Sequence, residues 1–169
     1  HIDKLMNVID RRQLFYAVTT EAALKTGLSS ISHTGQGLTV IGNASETEIG
    51  AISNLLVQAG FDVQLSKNIE SVIWNKLLIN ACINPLTALF NVPNGELIKR
   101  EEWRKLMQTL LGEGILVCRK LKLDPDEDGL YDRLISVCER TKMNRSSMLQ
   151  DLSNGRKTEI DYINGSIVR

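Results

Sequence analysis

Between residues 71 and 97 the chain reads SVIWNKLLINACINPLTALFNVPNGEL, and inside this apolar run Lys76, Asn80 and Asn84 follow one another at intervals of four. On a helix such residues drift by about 40° per step, so they form one slanting polar line roughly 12 Å long. Their neighbours are Leu77, Leu78, Ile79, Ala81, Cys82 and Ile83, and a helix this apolar over most of its circumference is expected to be buried. A buried amide without partners costs on the order of 1 to 3 kcal/mol, and a buried unpaired ammonium more. The line therefore makes sense where it faces a cleft in which water or a polar ligand completes its hydrogen bonds. A lysine at the edge of such a cleft has a chemical use: desolvation favours the neutral amine and brings its pKa towards the working pH. Facing a carbonyl oxygen, the ammonium would stabilise the forming alkoxide and then protonate it. The asparagines would orient a carboxylate or hydroxyl of the same small molecule.

Periodicity alone favours a plainer reading, the solvated side of an amphipathic helix. Two details narrow it: Ile83 falls beside Lys76, so the strip is thin, and asparagine is a poor helix former where lysine or glutamate would serve. Asn91 and Asn94 follow in NVPNGEL, where Pro-Asn-Gly is a turn and turn chemistry alone explains Asn94.

The element that must position the line is a helix capped at Asn68 and running through Trp74 towards Ile83. Pro85 is expected to kink or break it, because proline lacks an N–H and crowds the preceding turn. A longer helix fits 100–122, and another starts at Asp124-Pro125 and ends near Lys142. Ser147 and Gln150 read as a capping box, Gly155 as a stop, and Thr158 as the cap of a last segment. Upstream the character differs: LFYAVTT (14–20) and LTVIG (38–42), separated by TGLSS, read as strands. Ser45 opens a capping box with Glu48, helical spacing continues over Ile49, Ile52, Leu55 and Leu56, and Gly60 stops it. FDVQLS (61–66) alternates as a further strand. The expected fold class is mainly α, a β-rich segment 1–66 preceding a helical domain 67–169.

The chain has 169 residues, room for one domain or one and part of another. Twenty basic and twenty acidic residues give a formal net charge of zero, which recommends neither nucleic acid nor an anionic membrane as a partner. Cys82, Cys118 and Cys138 are odd in number, lie in apolar helical contexts and show no C-x-x-C spacing. Buried free thiols in a reducing cytoplasm are expected, with no disulfide framework and no metal site. No run is apolar enough to span a bilayer and no signal peptide is evident. His1 in place of a start methionine, and a last segment that stops at Arg169 without a capping signal, suggest a fragment.

WNKLLINACINPLTALFNVPNGEL and RSSMLQDLSNGRKTEIDYINGSIV together resemble the two signature blocks of the ketopantoate reductases, or 2-dehydropantoate 2-reductases. W-x-K-L, N-x-x-x-N-P-L-T-A, P-N-G-E-L, S-S-M-L-Q-D and T-E-I-D-Y-I-N-G occur in the family's order. VTTEAA and HTGQGLTVIG look more loosely like closing strands of the family's cofactor domain. The resemblance implies a helical substrate domain of the 6-phosphogluconate-dehydrogenase C-terminal-like type after a remnant of a Rossmann-type, NADP-binding domain. It implies reduction of ketopantoate to pantoate with NADPH, a step towards pantothenate and coenzyme A. Lys76 falls on the family's catalytic lysine, its general acid. Asn80, Asn84 and Asn94 fall on substrate-binding asparagines, Ser147 on a substrate-binding serine, Glu159 on a glutamate near substrate and cofactor, and Ala23 on a residue touching the cofactor. Locally, the capping box suffices for Ser147, and a first-turn carboxylate suffices for Glu159.

The chain departs from the family in lacking the G-x-G-x-x-G turn of a nucleotide-binding fold, which GQG at 35–37 does not replace. The asparagine expected just before His1 is also missing, and the helical domain ends early. By itself the chain is expected to hold NADPH poorly. Among rival readings, DPDEDG (124–129) mimics the start of a calcium loop but puts Ile135 where a bidentate glutamate is required. His33, a lone histidine beside a Thr-Gly turn, reads as a surface or structural residue. The mixed-charge KREEWRKL segment reads as a solvated helical face. A non-enzymatic helical interaction module and a reductase of another branched 2-keto acid are the functional alternatives, and a homodimer is compatible with either.

Overall fold

In a computed structural model the described residues are 5–10, 14–42, 46–123, 125 and 127–169. Ser45, His1, Asp124 and Asp126 lie outside them, as do the side chains of Glu48 and Asp128, so the first capping box and the acidic loop mimic are not described. Contacts divide the chain into two units, 1–72 and 73–169.

In the first unit, strands β1 (Tyr16–Thr19), β4 (Leu38–Gly42) and β5 (Asp62–Ser66) form one sheet in the order β1-β4-β5. β1 pairs antiparallel with β4, Tyr16 opposite Gly42, and β4 pairs parallel with β5, Leu38 opposite Asp62. Parallel neighbours need a long crossover, and helix α1 (Glu46–Gln58) supplies it. Gly60, at φ 91°, ends the turn after α1, a left-handed geometry that favours glycine. Strands β2 (Ala22–Lys25) and β3 (Ile31–Gly35) pair antiparallel as a separate hairpin closed by the Thr26 N–H on the Ser30 carbonyl, 2.9 Å. Residue patterning did not mark these two strands, which only the looser family resemblance of VTTEAA and HTGQGLTVIG touched. Most of their residues are exposed, so no buried face imposes the alternation by which strands are recognised.

The second unit is helical. Helix α2 (Ile69–Phe90) leads to a short 3-10 turn (Asn94–Glu96), then α3 (Glu101–Lys120), α4 (Glu127–Arg140), α5 (Ser147–Ser153) and α6 (Asn164–Val168). Its core joins Leu78, Cys82, Ile83 and Leu86 of α2 to Leu97, Met107, Leu111, Cys118, Leu130, Leu134 and Cys138. The α2–α3 contact is close at Gly114, where a Cβ would fall on Leu78 Cδ2. Phe90 stacks on Trp103 at 4.6 Å, and the Arg100 guanidinium lies over the same indole.

Two sequence expectations fail here. Of the kink or break expected at Pro85, the break does not occur: helix α2 runs through it to Phe90. Burial outweighs the lost amide: Leu78, Ala81, Cys82, Ile83 and Leu86 are all at most 5% exposed. The Ala81 carbonyl, which the missing Pro85 N–H would have met, receives the Asn164 Nδ2–H at 3.0 Å instead. The last segment is not a helix from Thr158 either. Glu159 lies in a bend, turns follow through Ile163, and α6 begins only at Asn164. Ile163, at φ −95° and ψ −87°, interrupts helical geometry between the two.

Candidate active site

Helix α2 presents the polar line with a gradient of hydration. Lys76 is exposed, Asn80 half-buried, and Asn84 only 7% exposed. The line is therefore most dehydrated at its Asn84 end and least at Lys76. Enough protein still surrounds the Lys76 amine for desolvation to lower its pKa below the ordinary lysine value. Because water reaches the side chain, this shift contributes little to stability.

Asn84 meets the second signature block: its Nδ2 donates to Ser147 Oγ at 3.5 Å. What brings Ser147 there is its predecessor. The N-cap of α5 is Ser146, not Ser147: Ser146 Oγ accepts from the Leu149 N–H at 3.1 Å. Thr87 Oγ1 lies 2.9 Å from the Ile83 carbonyl, 3.0 Å from that of Asn84 and 2.7 Å from Ser146 Oγ. Ser146 Oγ both accepts from the Leu149 N–H and is paired with the Thr87 hydroxyl. Buried Thr87 thus chooses the cap register, because only the serine facing it completes a network away from water. The expected Ser147–Gln150 box is absent; Gln150 Nε2 donates to the Arg145 carbonyl at 2.8 Å. Ser147 is left exposed, next to Asn84.

Asn94 is 7% exposed. Its Nδ2 donates to Thr141 Oγ1 at 2.9 Å and its backbone N–H to the Asn144 carbonyl at 3.0 Å. The amide thus pins the Pro-Asn-Gly turn to the residues after α4, while its Oδ1 is buried with no hydrogen-bond partner among the described residues. The same holds for Asn75 Oδ1 and Asn164 Oδ1. Glu159 is exposed, and its carbonyl accepts the N–H groups of Tyr162 and Ile163 at 2.9 and 3.0 Å. Asn91 closes α2 at φ 52°, its Oδ1 accepting from Arg145 Nη2 at 3.3 Å.

Ala23 belongs to the first unit, exposed on β2. It lines a cavity of about 680 Å³ with Glu21, His33, Gly37, Phe61 and Asp62, all residues of that unit. Glu21 accepts from the Gly37 N–H at 3.0 Å and lies 2.5 Å from His33 Nε2. The Gly37 amide, then His33, hold its carboxyl below the usual range. His33 therefore acts as the partner of Glu21. Among the described residues no group of three or more His, Cys, Asp or Glu is arranged to hold a metal ion, and no helix is long and apolar enough to cross a membrane.

Sequence reasoning missed Thr87, Ser146, Thr141 and Asn164. A threonine four residues after Ile83 in an apolar helix was the available signal for Thr87, since its hydroxyl must find a buried acceptor. Nothing local marked Asn164.

Residues 68–169 match the family model described as "Ketopantoate reductase PanE/ApbA C terminal". The 2-dehydropantoate 2-reductase of Escherichia coli O157:H7 is 38% identical over 170 residues, covering 99% of this chain and 54% of that protein. The one of Vibrio cholerae is 35% identical over 158 residues, covering 92% and 53%. Among solved structures, a PanE/ApbA family ketopantoate reductase from Ralstonia eutropha JMP134 superposes with TM-score 0.87 at 30% identity, covering 99% of this chain and 55% of that one. D-mandelate dehydrogenase with NADH and anilino(oxo)acetate superposes at 0.92 and 27% identity, covering 100% and 57%. The chain spans about half the length of the curated relatives it matches. Since the family model takes in the whole polar line of α2, the Asn94 turn and the Ser147 and Glu159 segments, the chain belongs to the ketopantoate reductase family.

Proposed function

We propose that the complete protein reduces 2-dehydropantoate to pantoate with NADPH, and that residues 67–169 are its substrate domain and 1–66 part of its cofactor domain. The observation that carries the reading is the single helix α2, which bears a lysine of lowered pKa and, two turns on, an asparagine in reach of Ser147. Reducing a ketone takes a hydride and a proton. This chain's residues account for the proton and the substrate: Lys76 stabilises the alkoxide and protonates it, and Asn80, Asn84 and Ser147 hold the substrate's carboxylate and hydroxyl. Asn94 offers only its buried Oδ1, so its part is to accept a hydroxyl proton. Glu159 and Ala23 lie towards the cofactor in this reading.

Two D-mandelate dehydrogenase structures with NADH support a nicotinamide cofactor. The chain itself does not fit a dinucleotide. It has no glycine-rich phosphate turn, and the cavity at Ala23 is lined by the carboxylates of Glu21 and Asp62, which would repel a pyrophosphate. A cytoplasmic, homodimeric enzyme is part of the proposal. Three buried free cysteines fit a reducing compartment, and a structural neighbour from Staphylococcus aureus is described as a dimeric ketopantoate reductase.

In the complete protein, Lys76→Ala should leave folding intact and lower ketopantoate reduction by about 10²- to 10⁴-fold, chiefly in kcat. Cofactor absorbance follows the reaction. Unchanged kcat in a folded variant would remove Lys76 from the mechanism. The D-mandelate dehydrogenase likeness favours a second reading, reduction of another branched 2-keto acid, and comparing kcat/KM for ketopantoate with that for 2-oxo-3-methylbutanoate or phenylglyoxylate decides between them.

A further inference from the structure

We propose that Asn164 is a positioning residue: it replaces the amide proton that Pro85 lacks and so ties the turn carrying Glu159 to the helix carrying Lys76, Asn80 and Asn84. The functional half of this inference rests on the reading above; the hydrogen-bonding half does not. Proline at position 85 leaves the carbonyl four residues earlier without its helical donor. That carbonyl belongs to Ala81, which is 5% exposed, so solvent is a poor substitute and an orphaned oxygen would be costly. Asn164 Nδ2 reaches it at 3.0 Å across 83 residues of sequence. A carbonyl oxygen accepts only, so the amide must turn its NH₂ towards Ala81, which leaves Asn164 Oδ1 buried and unpartnered. Local capping does not explain the residue, since the N-cap of α6 is Ile163 and makes no side-chain cap bond.

Asn164 is joined to Glu159 by consecutive turns. The Glu159 carbonyl accepts from Tyr162 and Ile163, and the Ile160 carbonyl accepts from Gly165 at 3.0 Å. Segment 159–165 is thus one hydrogen-bonded piece, and its attachment point on α2 lies between Asn80 and Asn84 in sequence. Fixing Asn164 there fixes the backbone of Glu159 relative to the polar line.

A double-mutant cycle of Asn164→Leu and Pro85→Ala in the complete protein tests this. Pro85→Ala restores an N–H that can serve Ala81 from within the helix. Asn164→Leu alone should raise the unfolding equilibrium constant roughly tenfold, and in the Pro85→Ala background it should have little effect. Catalysis should behave otherwise: Asn164→Leu should lower kcat in both backgrounds, because the restored helical bond does not rebuild the tether. Additive effects on denaturation midpoints would overturn the hydrogen-bond replacement, and a kcat that recovers together with stability would overturn the positioning role. If Asn164→Leu alone does not fold, the proposal requires the double variant to fold; failure there also overturns it. If the wild-type protein does not reduce ketopantoate, the functional reading has failed, and the denaturation cycle still decides the hydrogen bond.

Discussion

The adjacent serines at the start of α5 give the sharpest test, because the structure gives them opposite surroundings. Ser146 is 7% exposed and its hydroxyl makes two bonds, to the Leu149 N–H and to Thr87. Ser147 is exposed, and its contact with Asn84 is long, 3.5 Å. Removing an N-cap hydroxyl costs about 1 kcal/mol and losing a buried hydroxyl pair about as much again, so Ser146→Ala should destabilise by about 2 kcal/mol. With a urea m-value of about 2 kcal/mol/M, the unfolding midpoint should fall by about 1 M. Ser147→Ala should stay within about 0.5 kcal/mol of the parent and instead raise KM for the keto acid. Trp74 and Trp103, the only tryptophans of the chain, both lie in the helical unit, so their fluorescence reports its unfolding. Equal destabilisation by the two substitutions, or a larger loss at Ser147, would refute the cap assignment and with it the account of how Ser147 comes to face Asn84.

Since desolvation lowers the Lys76 pKa, kcat for ketone reduction should fall with rising pH along a limb below about 10.4, and Lys76→Ala should abolish that limb; a rate independent of pH up to 10.4 would contradict the general-acid role. In that window the lowered Lys76 pKa makes stability rise with pH, whereas the raised pKa values of Cys82, Cys118 and Cys138 make it fall, so a urea midpoint measured at each pH separates unfolding from the lost rate. Burial pushes the Cys82 thiol up to about 12 and that of Cys138 to about 11, so neither should react with iodoacetamide at pH 8 until denaturant is added; mass spectrometry of the native protein checks this. A Cβ at Gly95 would come within 2.6 Å of Lys142 Cβ and 2.8 Å of its Cα, so Gly95→Ala should cost about 1 to 3 kcal/mol by prising the Asn94 turn from Thr141, read as a lower urea midpoint.

The polar line was legible because its spacing is set by one helix, and helical geometry follows from sequence separation alone. The central β1-β4-β5 strands were legible where burial enforces a pattern, as in β4, whose Val40 to Gly42 stretch is largely buried. The exposed β2–β3 hairpin had no such pattern. The failures at Pro85 and Ser147 share a cause: each was read from a local rule, and each was decided by a partner far along the chain. Asn164 is 83 residues from Ala81, and Ser146 is 59 from Thr87. No single-sequence rule places such pairs together. The residue types of the candidate site were thus visible, whereas the network that orients them was not.

The missing side chain at Gly114 has a consequence for how this enzyme family can vary. Leu78 occupies the space a methyl group would need, and Leu78 is two residues from Lys76. A methyl added at position 114 would have to displace the Leu78 Cδ2 methyl, so the strain falls first on the Leu78 rotamer. Drift at that site should be tolerated best when position 78 shrinks in step, so a glycine with no chemistry of its own and the leucine across from it are bound to vary as a pair.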